Sequence, residues 1–81
     1  MVHVTFYSTL NKYGRRAGRE MPLSMTYKPG LTIRALMSEL GIDDEGEVSM
    51  IVINGQLKGQ EYDVPVQDGD HIGLYGYIAG G

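Results

Sequence analysis

The chain has 81 residues, 42% of them hydrophobic, enough for one domain that buries roughly 60% of its unfolded surface and too few for two. It contains no cysteine, which excludes disulfides, thiolate metal sites, iron–sulfur ligation and a persulfide carried on its own side chains. A net charge of −3 offers no overall attraction for phosphate backbones, and Met1-Val2-His3-Val4 has neither a basic leader nor a long apolar run, so a cytoplasmic protein without nucleic-acid or membrane partners is expected.

Val2, Val4 and Phe6 alternate with His3, Thr5 and Tyr7, the period of a strand with one face in a core. Leu10 to Glu20 is polar, basic and twice interrupted by glycine, and reads as a surface loop. Met21, Leu23, Met25 and Tyr27 alternate again as a second strand. After Pro29-Gly30 the period lengthens to 3.6, with Ile33, Leu36, Met37 and Leu40 on one helical stripe. Thr32 suits the N-cap, Leu31 can staple onto Leu36, Gly41 suits a left-handed C-terminal cap, and Ile42 can fold back onto Met37. Arg34 and Glu39 both oppose the helix dipole, so packing must hold this helix.

Val48 to Ile53 is continuously apolar, as in a strand buried mid-domain, and Asn54-Gly55 ends it as a turn. Leu57 to Gln67 reads as irregular, with a short edge segment near Val64-Pro65-Val66, where proline blocks an interior ladder position. Asp68-Gly69-Asp70 is a tight turn, and His71 to Tyr77 forms the closing strand. The expected order is strand, strand, helix, strand, short strand, strand. The domain spans 1–76 and a flexible tail 77–81 ends in Ala79-Gly80-Gly81. Glycines without a Cβ can thread a narrow channel and present a terminal carboxylate unhindered.

Other signals carry less. Arg15, Arg16 and Arg19 are too few for nucleic acid and read as a solvated loop. Asp43, Asp44, Glu45 and Glu47 lack calcium-loop spacing. His3 and His71 have no cysteine or carboxylate cluster at ligand spacing and are placed on sheet surfaces, so no metal site is expected. Gly73 and Gly76 either admit a partner's backbone or mark edge irregularity.

The order of elements resembles the β-grasp, the ubiquitin-like α+β fold, in which one main helix packs across one face of a mixed sheet of four to five strands. Asp68-Gly69-Asp70-His71-Ile72-Gly73-Leu74, followed by a short run into Ala79-Gly80-Gly81, resembles the closing segment of the MoaD/ThiS family of sulfur carrier proteins. Val52-Ile53-Asn54-Gly55 is similar to their third strand and turn, and Pro29-Gly30-Leu31-Thr32-Ile33 to their helix entry. The insertion at Leu10 to Glu20 and the chain length look more like MoaD, the small subunit of molybdopterin synthase, than like the thiamin-pathway carriers. Tyr77-Ile78, where a Pro-Pro pair is common, and the glycine- and arginine-rich insertion depart from that pattern.

The resemblance implies a cosubstrate rather than an enzyme. An adenylating enzyme similar to ubiquitin-activating enzymes would use ATP to activate the Gly81 carboxyl, a sulfur donor would leave a thiocarboxylate, and a synthase large subunit would accept the sulfur, with molybdopterin the preferred product. No cofactor is held permanently. From Tyr75 to Gly81 an extended backbone reaches roughly 20 Å, so Ile78, Ala79 and Gly80 would thread the partner's active site while the body docks outside. With Val2, Val4, Phe6, Ile72 and Leu74 toward the helix, Tyr7 and Tyr75 face away from it on adjacent strands, and with Leu57 they form the expected docking surface. A thiamin-thiazole carrier, a ubiquitin-like modifier conjugated through Gly81 and a non-covalent interaction module are the alternatives.

Overall fold

The computed structural model describes residues 1–10, 22–42 and 45–77. Strand β1 (Val2–Tyr7) buries Val2, Val4 and Phe6 and turns His3, Thr5 and Tyr7 to the other face. It ends in a 3-10 turn (Ser8–Leu10) that buries Leu10. Strand β2 (Leu23–Met25) pairs antiparallel with β1, so the alternation resolves into a strand shorter than expected. Helix α1 (Ile33–Glu39) follows. A second 3-10 turn (Glu45–Glu47) leads into β3 (Val48–Ile53), then β4 (Gln56–Gly59) and β5 (His71–Gly76).

The five strands form one mixed sheet in the order β2-β1-β5-β3-β4. Its centre is the parallel pair β1·β5, in the register Val4↔Ile72, Phe6↔Leu74, Tyr7↔Tyr75. The core lies between this sheet and α1: Ile33, Leu36 and Met37 meet Val2, Val4, Phe6, Ile51, Ile53, Ile72 and Leu74 in one buried cluster. No buried side-chain nitrogen or oxygen lacks a hydrogen-bond partner among the described residues.

At seven residues, α1 is too short to persist alone, since isolated helices need about 12–15 residues. Both ends are secured instead. Thr32 Oγ1 accepts from the Ala35 amide at 3.2 Å. The Ile33 and Arg34 amides donate to the carbonyls of Val64 (3.1 Å) and Tyr62 (2.7 Å), which satisfies donors that no helical turn can reach. At the other end Gly41 takes φ +84°, its amide donates to Ser38 O at 3.1 Å and that of Ile42 to Met37 O at 2.9 Å, the Schellman pattern. Arg34 and Glu39, misplaced for the dipole, are each neutralised on the surface: Arg34 Nε donates to Asp63 at 2.9 Å and Lys28 Nζ to Glu39 at 2.7 Å. The hydrogen bond from Arg34 holds the Asp63 carboxyl below its ordinary range.

Two expectations are corrected. The segment Val64-Pro65-Val66 is not a sheet edge: Pro65 forms an isolated bridge to Thr32, and Val66 N donates to Leu31 O at 2.8 Å. Its carbonyls and amides serve the helix entry. The short strand lies earlier, at β4, which pairs antiparallel with β3 as the sheet's edge. Asn54 (φ +51°) and Gly55 (φ +82°) both adopt the left-handed conformation required of a two-residue type I′ hairpin. Met21 and the expected loop through Glu20 lie outside the described residues, apart from Leu10, which is buried.

Candidate functional site

One face of the sheet carries the helix; among the described residues the other is open. Because successive side chains alternate, the parity that buries Val4 and Phe6 sends His3, Thr5 and Tyr7 to the open face, and the parity of Ile72 and Leu74 does the same for His71, Gly73 and Tyr75. Strand register then arranges these side chains in three rows. Ser24, His3 and His71 form the first, Thr5, Gly73, Val52 and Leu57 the second, and Tyr7, Tyr75 and Met50 the third.

The outer rows are built from stacked rings. Tyr7 and Tyr75 stack with ring centroids 4.3 Å apart and an interplanar angle of 10°, while His3 and His71 stack at 4.8 Å and 23°. His3 Nδ1 lies 3.2 Å from Ser24 Oγ. Between the two pairs, Gly73 contributes no side chain. A Cβ there would meet Tyr7 Cε2 at 3.3 Å and Tyr75 Cε1 at 3.4 Å, so both tyrosine rings lean over the glycine. The outcome is a shallow open trough of about 300 Å³, with Thr5, Tyr7, Val52, His71, Gly73 and Tyr75 in its lining.

The expected docking residues are thus brought to one face. Tyr7 and Tyr75 touch, and Leu57 lies on the adjoining row at 66% exposure, separated from Gly73 by Val52. The histidine stack, Met50 and Val52 are additional members that sequence reasoning did not assign to the site. Residue parity was the available signal, since His3 shares a face with Tyr7 and His71 with Tyr75. The face thus presents paired aromatic rings, each with an apolar body and a polar edge, on either side of a largely apolar strip.

The end of β5 is anchored by side chains from elsewhere. A bulge in β3 between Val48 and Met50 leaves Ser49 unpaired in the register, and its hydroxyl is shared between the carbonyls of Tyr75 and Gly76, both at 3.2 Å. Gln60 Nε2 donates to Tyr77 Oη at 3.0 Å and to Val48 O at 3.3 Å. Gly76 packs against the turn after β1, where a Cβ would lie 2.0 Å from Thr9 Oγ1. Its missing side chain therefore serves the chain's own packing rather than a partner's approach. Ile78, Ala79, Gly80 and Gly81, the expected tail, lie outside the described residues.

Among the described residues no three His, Cys, Asp or Glu side chains gather as metal ligands, and no helix is long and apolar enough to cross a membrane.

Among the described residues, a five-stranded mixed sheet with a parallel central pair and one helix across a single face forms the β-grasp, which makes this a ubiquitin-like domain. Within that class the chain belongs to the Mut7-C ubiquitin family, whose model matches residues 1–79. No curated protein and no solved structure matches the chain.

Proposed function

We propose that this ubiquitin-like protein is a sulfur carrier of the MoaD/ThiS kind, a cosubstrate whose Gly81 carboxylate is adenylated by a partner enzyme using ATP and converted to a thiocarboxylate. The sulfur is then delivered inside a synthase, with a molybdopterin precursor as the preferred acceptor. A terminal carboxyl has an ordinary pKa of about 3.3–3.7, so at neutral pH it is an anion and a poor acyl donor. Activation must come from the partner, and this chain contributes a docking surface and a handle.

The observation that carries the reading is the continuity of face and tail. Tyr75 stacks on Tyr7 within the open face, and two residues later Tyr77, 52% exposed, is held by Gln60. Residues 78–81 follow Tyr77 directly in sequence, as is needed if a partner is to hold the body while the last glycines enter its active site.

Incubation with ATP, an adenylating enzyme and a sulfide source should replace one oxygen by sulfur at the C-terminus in the intact mass. Deletion of Gly81 should abolish the change and leave the fold intact. An unchanged mass together with isopeptide-linked conjugates would instead identify a protein modifier.

The extent of the family match favours a second reading. It ends at Ala79, so the glycine pair lies outside the matched residues. In that reading the domain docks non-covalently through Tyr7, Leu57 and Tyr75, and binding survives loss of Gly81.

A further inference from the structure

We infer that Tyr7 and Tyr75 constitute a dityrosine site: a one-electron oxidant, such as a peroxidase acting on hydrogen peroxide, joins them covalently within a single folded chain. Coupling between phenols takes place at the carbons ortho to the hydroxyl, the Cε positions. Tyr7 Cε2 and Tyr75 Cε1 both border the space above Gly73, 3.3 and 3.4 Å from the same point. Residue 73 has no side chain to fill that space. The rings are nearly parallel at a centroid separation of 4.3 Å, and Tyr7 is 41% exposed. An oxidant therefore reaches the pair, and two radicals formed there meet without diffusion.

The step balances. Each phenol gives up one electron and its hydroxyl proton, the two ortho carbons form a bond, and the displaced ring hydrogens shift to restore both phenols. Overall two tyrosines and one hydrogen peroxide yield one dityrosine and two waters. No cysteine is present to reduce the radicals first. Met50, opposite Tyr75 in register, is the neighbouring oxidisable group, but its oxidation adds an oxygen and is separable by mass.

This inference does not depend on the sulfur-carrier reading, since it requires only the folded domain and an oxidant; its failure would leave the chemistry proposed for Gly81 untouched. Its consequence falls on the same face. A Tyr7–Tyr75 bond ties β1 to β5 and fixes the two rings that docking would use, so oxidation is recorded on the partner surface.

Treating the dilute, full-length chain with peroxidase and hydrogen peroxide tests it. The expected product is a monomer lighter by two hydrogen atoms, with blue dityrosine emission and a proteolytic peptide joining Tyr7 to Tyr75. In Tyr7→Phe and in Tyr75→Phe the emission should fall to background. Emission confined to covalent dimers, linkage through other tyrosines, or undiminished emission in either variant would overturn the assignment. The joined peptide comes from the unsubstituted protein, so its presence or absence decides the matter even where a variant folds poorly.

Discussion

A methyl group on Gly76 would meet Thr9 Oγ1 at 2.0 Å and the Leu10 amide nitrogen at 3.1 Å. Neither Thr9's short side chain nor the backbone of Leu10 retreats cheaply, so Gly76→Ala should cost about 1–3 kcal/mol, the range for overpacking, read as a lowered urea midpoint. The neighbouring Gly73 is different. Its added carbon would press on the far ends of two tyrosine rings, so Gly73→Ala should leave the midpoint nearly unchanged while altering the near-ultraviolet dichroism of the stacked pair. A further expectation concerns Asp63, whose carboxyl lies below the ordinary 3.8 because Arg34 donates to it. A depressed carboxyl lends stability above its unfolded pKa and loses it as pH falls through the lower folded value. The gap in urea midpoint between the native chain and Asp63→Asn should therefore be present at neutral pH and close below 3.8; because the pair is exposed, the gap should also shrink in high salt. A gap that persists in acid would mean that Asp63 acts through packing instead of charge.

Among the strands and the helix, what could be read from the sequence was whatever is written locally. Helix α1 was legible at both ends because Thr32 and the Gly41-Ile42 pair are chemical signals for cap geometry, and each makes the expected hydrogen bond. Thr32→Ala should lower stability by about 1 kcal/mol, and Thr32→Ser should restore most of it. Strand β4 was not legible because Gln56-Leu57-Lys58-Gly59 holds one apolar residue, and an edge strand with both faces wet has no period to display. The stronger cue was the preceding Asn54-Gly55, whose paired left-handed conformations specify a hairpin. Val64-Pro65-Val66 misled for the opposite reason: its apolar residues flank a proline as an edge strand's would, whereas their backbone groups serve the helix entry. Gly55→Ala tests the turn. At φ +82° a Cβ costs about 1–2 kcal/mol, and the loss should appear as faster amide exchange in β4 before β1 is affected.

Across the domain as a unit the fold class was readable, but the open face was readable only in part. Parity placed Tyr7 and Tyr75 together once the topology was granted. The histidine stack and the Gly73 trough depend on the register His3↔His71 and Thr5↔Gly73 between strands at opposite ends of the chain, and no local pattern encodes such a register. Residues 78–81, on which the proposed chemistry turns, lie beyond the described structure. The sheet order does make a global prediction. β1, β5 and β3 are interior while β2 and β4 are edges, so amide exchange should be slowest at Val4, Phe6, Leu74 and Ile51, where opening requires global unfolding. Equal protection in β4 would contradict the assigned order.

The position of β5 also constrains how the protein comes into being. It is the last of the described strands in sequence, yet it supplies the seam between β2-β1 on one side and β3-β4 on the other. A nascent polypeptide emerging from the ribosome can thus assemble two separate hairpin-like halves, but cannot unite them until Leu74 has cleared the exit tunnel. Synthesis that stalls ahead of that residue leaves Val4 and Ile51 uncovered together, as bait for chaperones and proteases.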